Sequence, residues 1–201
     1  MTDQTKHIRN IVLAAVFAAL IAVGAMIRFD IPLSPVPITL QTFFILLAGI
    51  LLRPLYALGA TALYIFAGIA GLPVFAGGTS GFAVILGPSG GFIIGFLPAA
   101  LIMSLIVHMR PGNKASAAEH AGHLHRGALS PLFRDVLATV AGTLIIYAIG
   151  YPWIVLNLGW DWRIGLGRAV LPYVPGDVVK IIAAVLLAIP GRRILQGNAR
   201  S

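Results

Sequence analysis

Six apolar stretches, at residues 11–27, 38–52, 55–69, 91–107, 136–156 and 176–189, take up half of the chain. A hydrocarbon core of about 30 Å needs roughly 20 helical residues at about 1.5 Å each. The stretches are continuously apolar and do not alternate with period two, which argues for helices and against a β-barrel. Only 10 % of the residues are charged and 59 % are hydrophobic, whereas soluble domains carry about 25 % charge. A soluble fold of 201 residues cannot hide so much apolar surface, and disorder needs the opposite composition. The expectation is an all-α integral membrane protein. It is a single domain over residues 1–201 with six transmembrane helices and no room for a soluble catalytic domain. No cleavable signal peptide is expected, because the run after Lys6 and Arg9 is roughly span length and lacks a clear cleavage site.

The breaks between runs are informative. Pro32, Pro35 and Pro37 forbid a helix through residues 29–37, so a loop is expected there. Residues 70–81, AGLPVFAGGTSG, are uncharged yet rich in turn formers. Such a segment suits a loop folded into the protein or over a cavity, where its backbone groups find partners. Gly87-Pro88-Ser89-Gly90-Gly91 interrupts the fourth run and leaves residues 82–86 to the loop or a short helix. Residues 157–175 bring Trp160, Trp162 and Tyr173 near Trp153, as an interfacial segment should.

Six spans put both termini on one side. That side holds Lys6, Arg9, Arg53, Arg110, Lys114, Arg126, Arg134, Arg192, Arg193 and Arg200, against Arg28, Arg163 and Arg168 opposite. The imbalance predicts a multi-pass membrane protein with both termini inside. The formal charge of +8 is assigned to anionic membrane lipids and not to nucleic acid.

Asp177 and Lys180 carry the sharpest chemical signal. They lie at i and i+3 at the outer start of the sixth span and share a helix face. Facing lipid would be costly for either, so both should face protein or a cavity. Asp177 could simply cap the helix, with Lys180 pairing or reaching outward. Alternatively, the pair forms a polar ligand site, Asp accepting from ligand N–H groups and Lys donating to a carbonyl or carboxylate. The glycines of the 71–91 region, Gly77 and Gly78 among them, serve either tight turns or close backbone approach to a ligand. Phe75, Phe82 and Phe92 could wall an apolar part of such a pocket. Thr39, Gln41 and Thr42, and the Thr143–Tyr147 pair, are polar groups that either line it or bond between helices.

Ala14, Ala15, Ala18, Ala19 and Ala22 form two small-residue stripes on the first span. They suit close packing inside the bundle or docking of another membrane subunit. His120, His123 and His125 with Glu119 lie in a polar segment better read as solvated loop than as a metal site. The chain has no cysteine and no phosphate-binding G-x-x-x-x-G-K-[ST] sequence.

LSPVPITLQTFFILLAG (33–49), AGLPVFAGGTSG (70–81), GPSGGFIIGF (87–96) and LPYVPGDVVK (171–180) together resemble the BioY family. These are the substrate-binding subunits of energy-coupling-factor (ECF) biotin transporters. The resemblance implies a six-helix S-component bundle in a bacterial cytoplasmic (inner) membrane that captures biotin from outside and holds no cofactor of its own. It implies a transmembrane coupling subunit and two ATP-binding cassette ATPases as partners, where ATP is used, although some members are proposed to work without them. It places the family's acidic–lysine pair on Asp177 and Lys180, and its ligand-covering loop on residues 71–81, including Phe75, Gly77, Gly78 and Thr79. Its proposed docking surface falls on Ala14, Ala18 and their neighbours. Several relatives hold the ring with an amide side chain in that loop; here there is no Asn or Gln, leaving Thr79, Ser80 or backbone groups. Arg28 is an alternative partner for the valerate carboxylate, and Leu72 a further apolar contact. Two other readings stay open: a membrane enzyme acting on a lipid or prenyl substrate, and a structural membrane subunit that binds nothing. An enzyme would want clustered carboxylates or histidines, and only Asp177 is convincing.

Overall fold

The computed structural model describes residues 3–108 and 130–197. Among these, the order is α1 (Asp3–Met26), β1 (Arg28–Ile31), β2 (Ser34–Thr39), α2 (Gln41–Leu51), α3 (Pro54–Ile69), α4 (Phe82–Leu86), α5 (Gly90–His108), α6 (Pro131–Leu158), α7 (Trp162–Ala169) and α8 (Val174–Gly197). A single 3-10 turn at Ala76–Gly78 lies in the loop after α3.

Several helices extend beyond their apolar runs. The first helix starts at Asp3 and not at residue 11, and the last runs on from Val174 to Gly197. In α6, Ser130 caps the start, its Oγ accepting from Phe133 N–H at 3.2 Å, ahead of a favourable Pro131. Two expected loops are ordered elements. Residues 29–37 belong mostly to an antiparallel hairpin pairing Arg28 with Thr39, Phe29 with Ile38 and Ile31 with Ser34. The prolines exclude helix as expected, but they tolerate this strand. Pro35 and Pro37 are two apart, so their missing donors share one edge, which a two-stranded sheet leaves unpaired. The fold is therefore a helical bundle carrying a small sheet, and the second helix starts at Gln41 because residues 34–39 are strand. Within residues 157–175, Asp161 caps the short α7, its Oδ1 accepting from Arg163 N–H at 2.8 Å.

Not all of the six expected transmembrane helices are long enough by themselves to cross a membrane. By length and composition, α1, α5 and α6 can each cross a membrane, and α7 with α8 form a further candidate bent by 48°. Helices α2 and α3, with 11 and 16 residues, reach only about 16 and 24 Å at about 1.5 Å per residue. Leu52 and Arg53 separate them in extended conformation.

Short α2 is nonetheless the hub, packing against α1, α3, α5, α6 and α8. Ile45, Leu46, Ala48 and Ile50 are buried on it. The largest helix–helix contact is between α5 and α6, and glycines make it close. Gly142 leaves room for Met103, and Gly150 for the ring of Phe92. The outside is greasy: Val12, Val16, Val23, Phe66, Leu144, Val179 and Leu186 are all exposed. A soluble monomer does not present such a belt; this is a membrane protein.

Candidate functional site

Because α2 begins only at Gln41, the column above it is empty of helix, and the hairpin and the 70–81 loop cover the gap. The result is a chamber of about 300 Å³. Its walls come from β2, the first turns of α2, α5 and α8, and the middle of α6. Phe92, Ile93, Phe96 and Ile146 supply apolar surface, and Arg28, Gln41, Thr42, Tyr147, Asp177 and Lys180 supply polar groups.

The Asp177–Lys180 pair is nearly buried, with side chains 14 % and 10 % exposed. Asp177 does not cap α8. It lies inside the first turn and donates its own N–H to Tyr173 carbonyl at 2.9 Å. Its carboxylate accepts from the Tyr147 hydroxyl on α6 and from Lys180 Nζ at 3.2 Å. Lys180 also donates to Thr42 Oγ1 on α2, at 2.9 Å. An ammonium has three donors and a carboxylate about four acceptor positions, so both groups keep unused hydrogen-bonding capacity beside the chamber. No side chain caps α2, and its first turn borders the same space; helix starts favour negative charge.

The hairpin is tied down by Tyr173, for which the sequence predicts only an interfacial position. The Tyr173 hydroxyl donates to the Val36 carbonyl and lies 2.8 Å from Ser34 Oγ. Nothing in the sequence pairs residues so far apart, so the chamber role of Tyr173 and of residues 35–38 had no local signal. Tyr147, Thr42, Thr39 and Thr143, ambiguous in sequence, all line the chamber. Gln41 lines it too, while its Nε2 donates to the buried Tyr64 hydroxyl at 2.6 Å.

The loop behaves less simply. Thr79 lines the chamber, but Phe75, Gly77 and Gly78 do not. Phe75 is fully buried, plugged over Gly68, with its ring edge-to-face on Tyr64 at 5.6 Å. It anchors the loop in the core, which is why it cannot also wall the pocket. Gly77, at φ 72°, leaves space that the Arg28 guanidinium fills; its missing side chain seats a chamber residue. Phe82 and Leu72 are exposed, away from the chamber, whereas Phe92 faces it and meets the Tyr147 ring edge-on.

The alanine stripes divide. Ala18 is buried, and the half-buried Ala14 and Ala22 pack against the core, so this stripe contributes to internal packing. Ala15 and Ala19 are exposed beside Val12, Val16 and Val23. The histidine cluster at residues 120–125 lies outside the described residues.

Against known proteins, the BioY family profile matches residues 1–197. A probable biotin transporter BioY of Pyrococcus horikoshii is 37 % identical, covering 94 % of this chain and 98 % of its own. The biotin transporter BioY of Thermotoga maritima is 37 % identical over 90 % of this chain and 94 % of its own. A crystal structure of the S-component for biotin from an ECF-type ABC transporter superposes with a TM-score of 0.78 at 26 % identity. That match covers 98 % of this chain and 95 % of the other. With a profile spanning nearly its whole length and full-length relatives above 30 % identity, the chain belongs to the BioY family.

Proposed function

We propose that this chain captures biotin with high affinity from outside the cell, as the substrate-specific subunit of an ECF transporter. The observation that carries the reading is a nearly buried ion pair with spare hydrogen-bonding capacity on a chamber in an otherwise apolar bundle. The family and the similar biotin S-component supply the ligand's identity. Biotin has a ureido ring with two N–H donors and one carbonyl, an apolar fused ring and chain, and a valerate carboxylate. Asp177 accepts from the ureido N–H groups. Lys180 donates its remaining N–H to the carbonyl or the carboxylate, with Arg28 as the second candidate for the latter. Phe92, Ile93, Phe96 and Ile146 take the apolar part, and Thr79 and the hairpin cover it.

In this reading both termini are cytoplasmic and the chamber opens outward. The shorter α2 and α3 count as spans completed by the segments that flank them, giving six. A membrane-embedded coupling subunit and two ATPases drive inward release, and ATP is used there. The exposed Ala15–Ala19 strip of α1 is the surface left for the coupling subunit.

Biotin titration of the purified protein in detergent tests the site. Asp177→Asn and Lys180→Ala should each weaken binding about tenfold to a hundredfold, since each leaves a charged group unpaired. Circular dichroism should report a folded bundle in both. Folded variants with unchanged affinity would overturn the assignment.

A further inference from the structure

A second cavity, of about 350 Å³, lies at the end of the bundle remote from the chamber. It collects the start of α1, the α2–α3 junction, the end of α5, the start of α6 and the end of α8. Lys6, Arg9, Arg53, Arg134 and Arg192 line it, against a single carboxylate, Asp135. Asp135 is already committed to Arg192, which donates to its Oδ1. Lys6 sits 3.4 Å from Asp3. Among the described residues, Arg9 and Arg53 have no carboxylate partner. Arg9 Nη1 donates to the Leu195 carbonyl at 3.2 Å, but its Nε is buried with no acceptor. The other wall is apolar, built from Leu13, Ile50, Leu51 and Val107.

A buried guanidinium donor without an acceptor is costly, and so is a surplus of like charge around a single carboxylate. An oxyanion resolves both. We propose that this cavity binds a phosphate oxyanion, and that its source is the headgroup of an anionic phospholipid whose first acyl carbons lie on the apolar wall. Basic pockets between membrane helices are suited to such headgroups. The Arg fork matches phosphate oxygens better than a point charge would. Free phosphate shares the headgroup chemistry but makes no use of the apolar wall.

The test is native mass spectrometry of the full-length protein, exchanged into detergent holding phosphatidylglycerol, phosphatidylcholine or inorganic phosphate alone. Phosphatidylglycerol should stay bound and phosphatidylcholine should not. Arg9→Gln/Arg53→Gln should weaken retention roughly thirtyfold, at about 1 kcal/mol per cation. Arg163→Gln/Arg168→Gln, which removes the same charge elsewhere, should leave it unchanged. Arg9→Lys/Arg53→Lys should keep most of it, so a misfolded glutamine variant does not decide the matter. Equal retention of both lipids, or equal losses in the two glutamine pairs, would overturn the site. Retention of phosphate with no lipid adduct would overturn the lipid source and uphold the oxyanion.

Discussion

Asp177 is held by two neighbours that come from different helices, Tyr147 on α6 and Lys180 one turn along α8. Asp177 and Lys180 are legible in the sequence because an intramembrane charge pair at i and i+3 is rare enough to stand out. Tyr147 gave no such signal, since a tyrosine in an apolar helix is ordinary. Its hydroxyl nevertheless orients the carboxylate. In Tyr147→Phe, Asp177 keeps Lys180 but loses this donor. Biotin affinity should fall roughly tenfold, the worth of a hydrogen bond to a charged group at about 1.5 kcal/mol. Calorimetric titration beside Asp177→Asn checks this, and a Tyr147→Phe affinity equal to the parent would remove the orienting role.

At the scale of elements, the chamber exists because one helix stops early and a hairpin and a loop close the gap. The prolines at 32, 35 and 37 marked residues 29–37 as non-helical, which holds. They could not show a strand pair, because pairing depends on where the chain turns back and on Tyr173 holding Val36 from the far end of the sequence. Residues 70–81 were legible as a folded-in loop, yet Phe75 turned out to be its anchor and not a wall, a distinction only burial makes. The α5–α6 contact sets the chamber's side. Gly150→Leu would force its side chain into Phe92, which lines the chamber. Overpacking of this kind costs about 1–3 kcal/mol. The expected outcome is a lower melting temperature in detergent together with weaker biotin binding; loss of stability with full affinity would mean the ring of Phe92 is not part of the pocket.

For the whole molecule, the two ends of the bundle differ in kind. One end holds a mixed polar chamber with Asp177 and Lys180 balanced; the other holds five cations around Asp135. That asymmetry, with the positive-inside bias, sets the expected orientation. The chain has no cysteine, so single-site labelling is direct. Arg163→Cys should react with a membrane-impermeant maleimide on intact cells, and Thr5→Cys should react only after the membrane is opened. Labelling in the reverse pattern would turn the chamber inward and contradict capture from outside.

Hydropathy alone determined that this chain lives in a membrane as a helical bundle, because apolar area of that extent has no aqueous solution. It also pointed to Asp177 and Lys180, because burying charge demands a reason. What only the tertiary structure decided is which groups meet across the bundle: Thr42 with Lys180, Tyr147 with Asp177, Tyr173 with the hairpin, and Arg28 over Gly77. Local pattern records which face of a helix is greasy. It does not record the rotation and depth at which one helix packs on another, and those two quantities place a side chain in a pocket or against a neighbour.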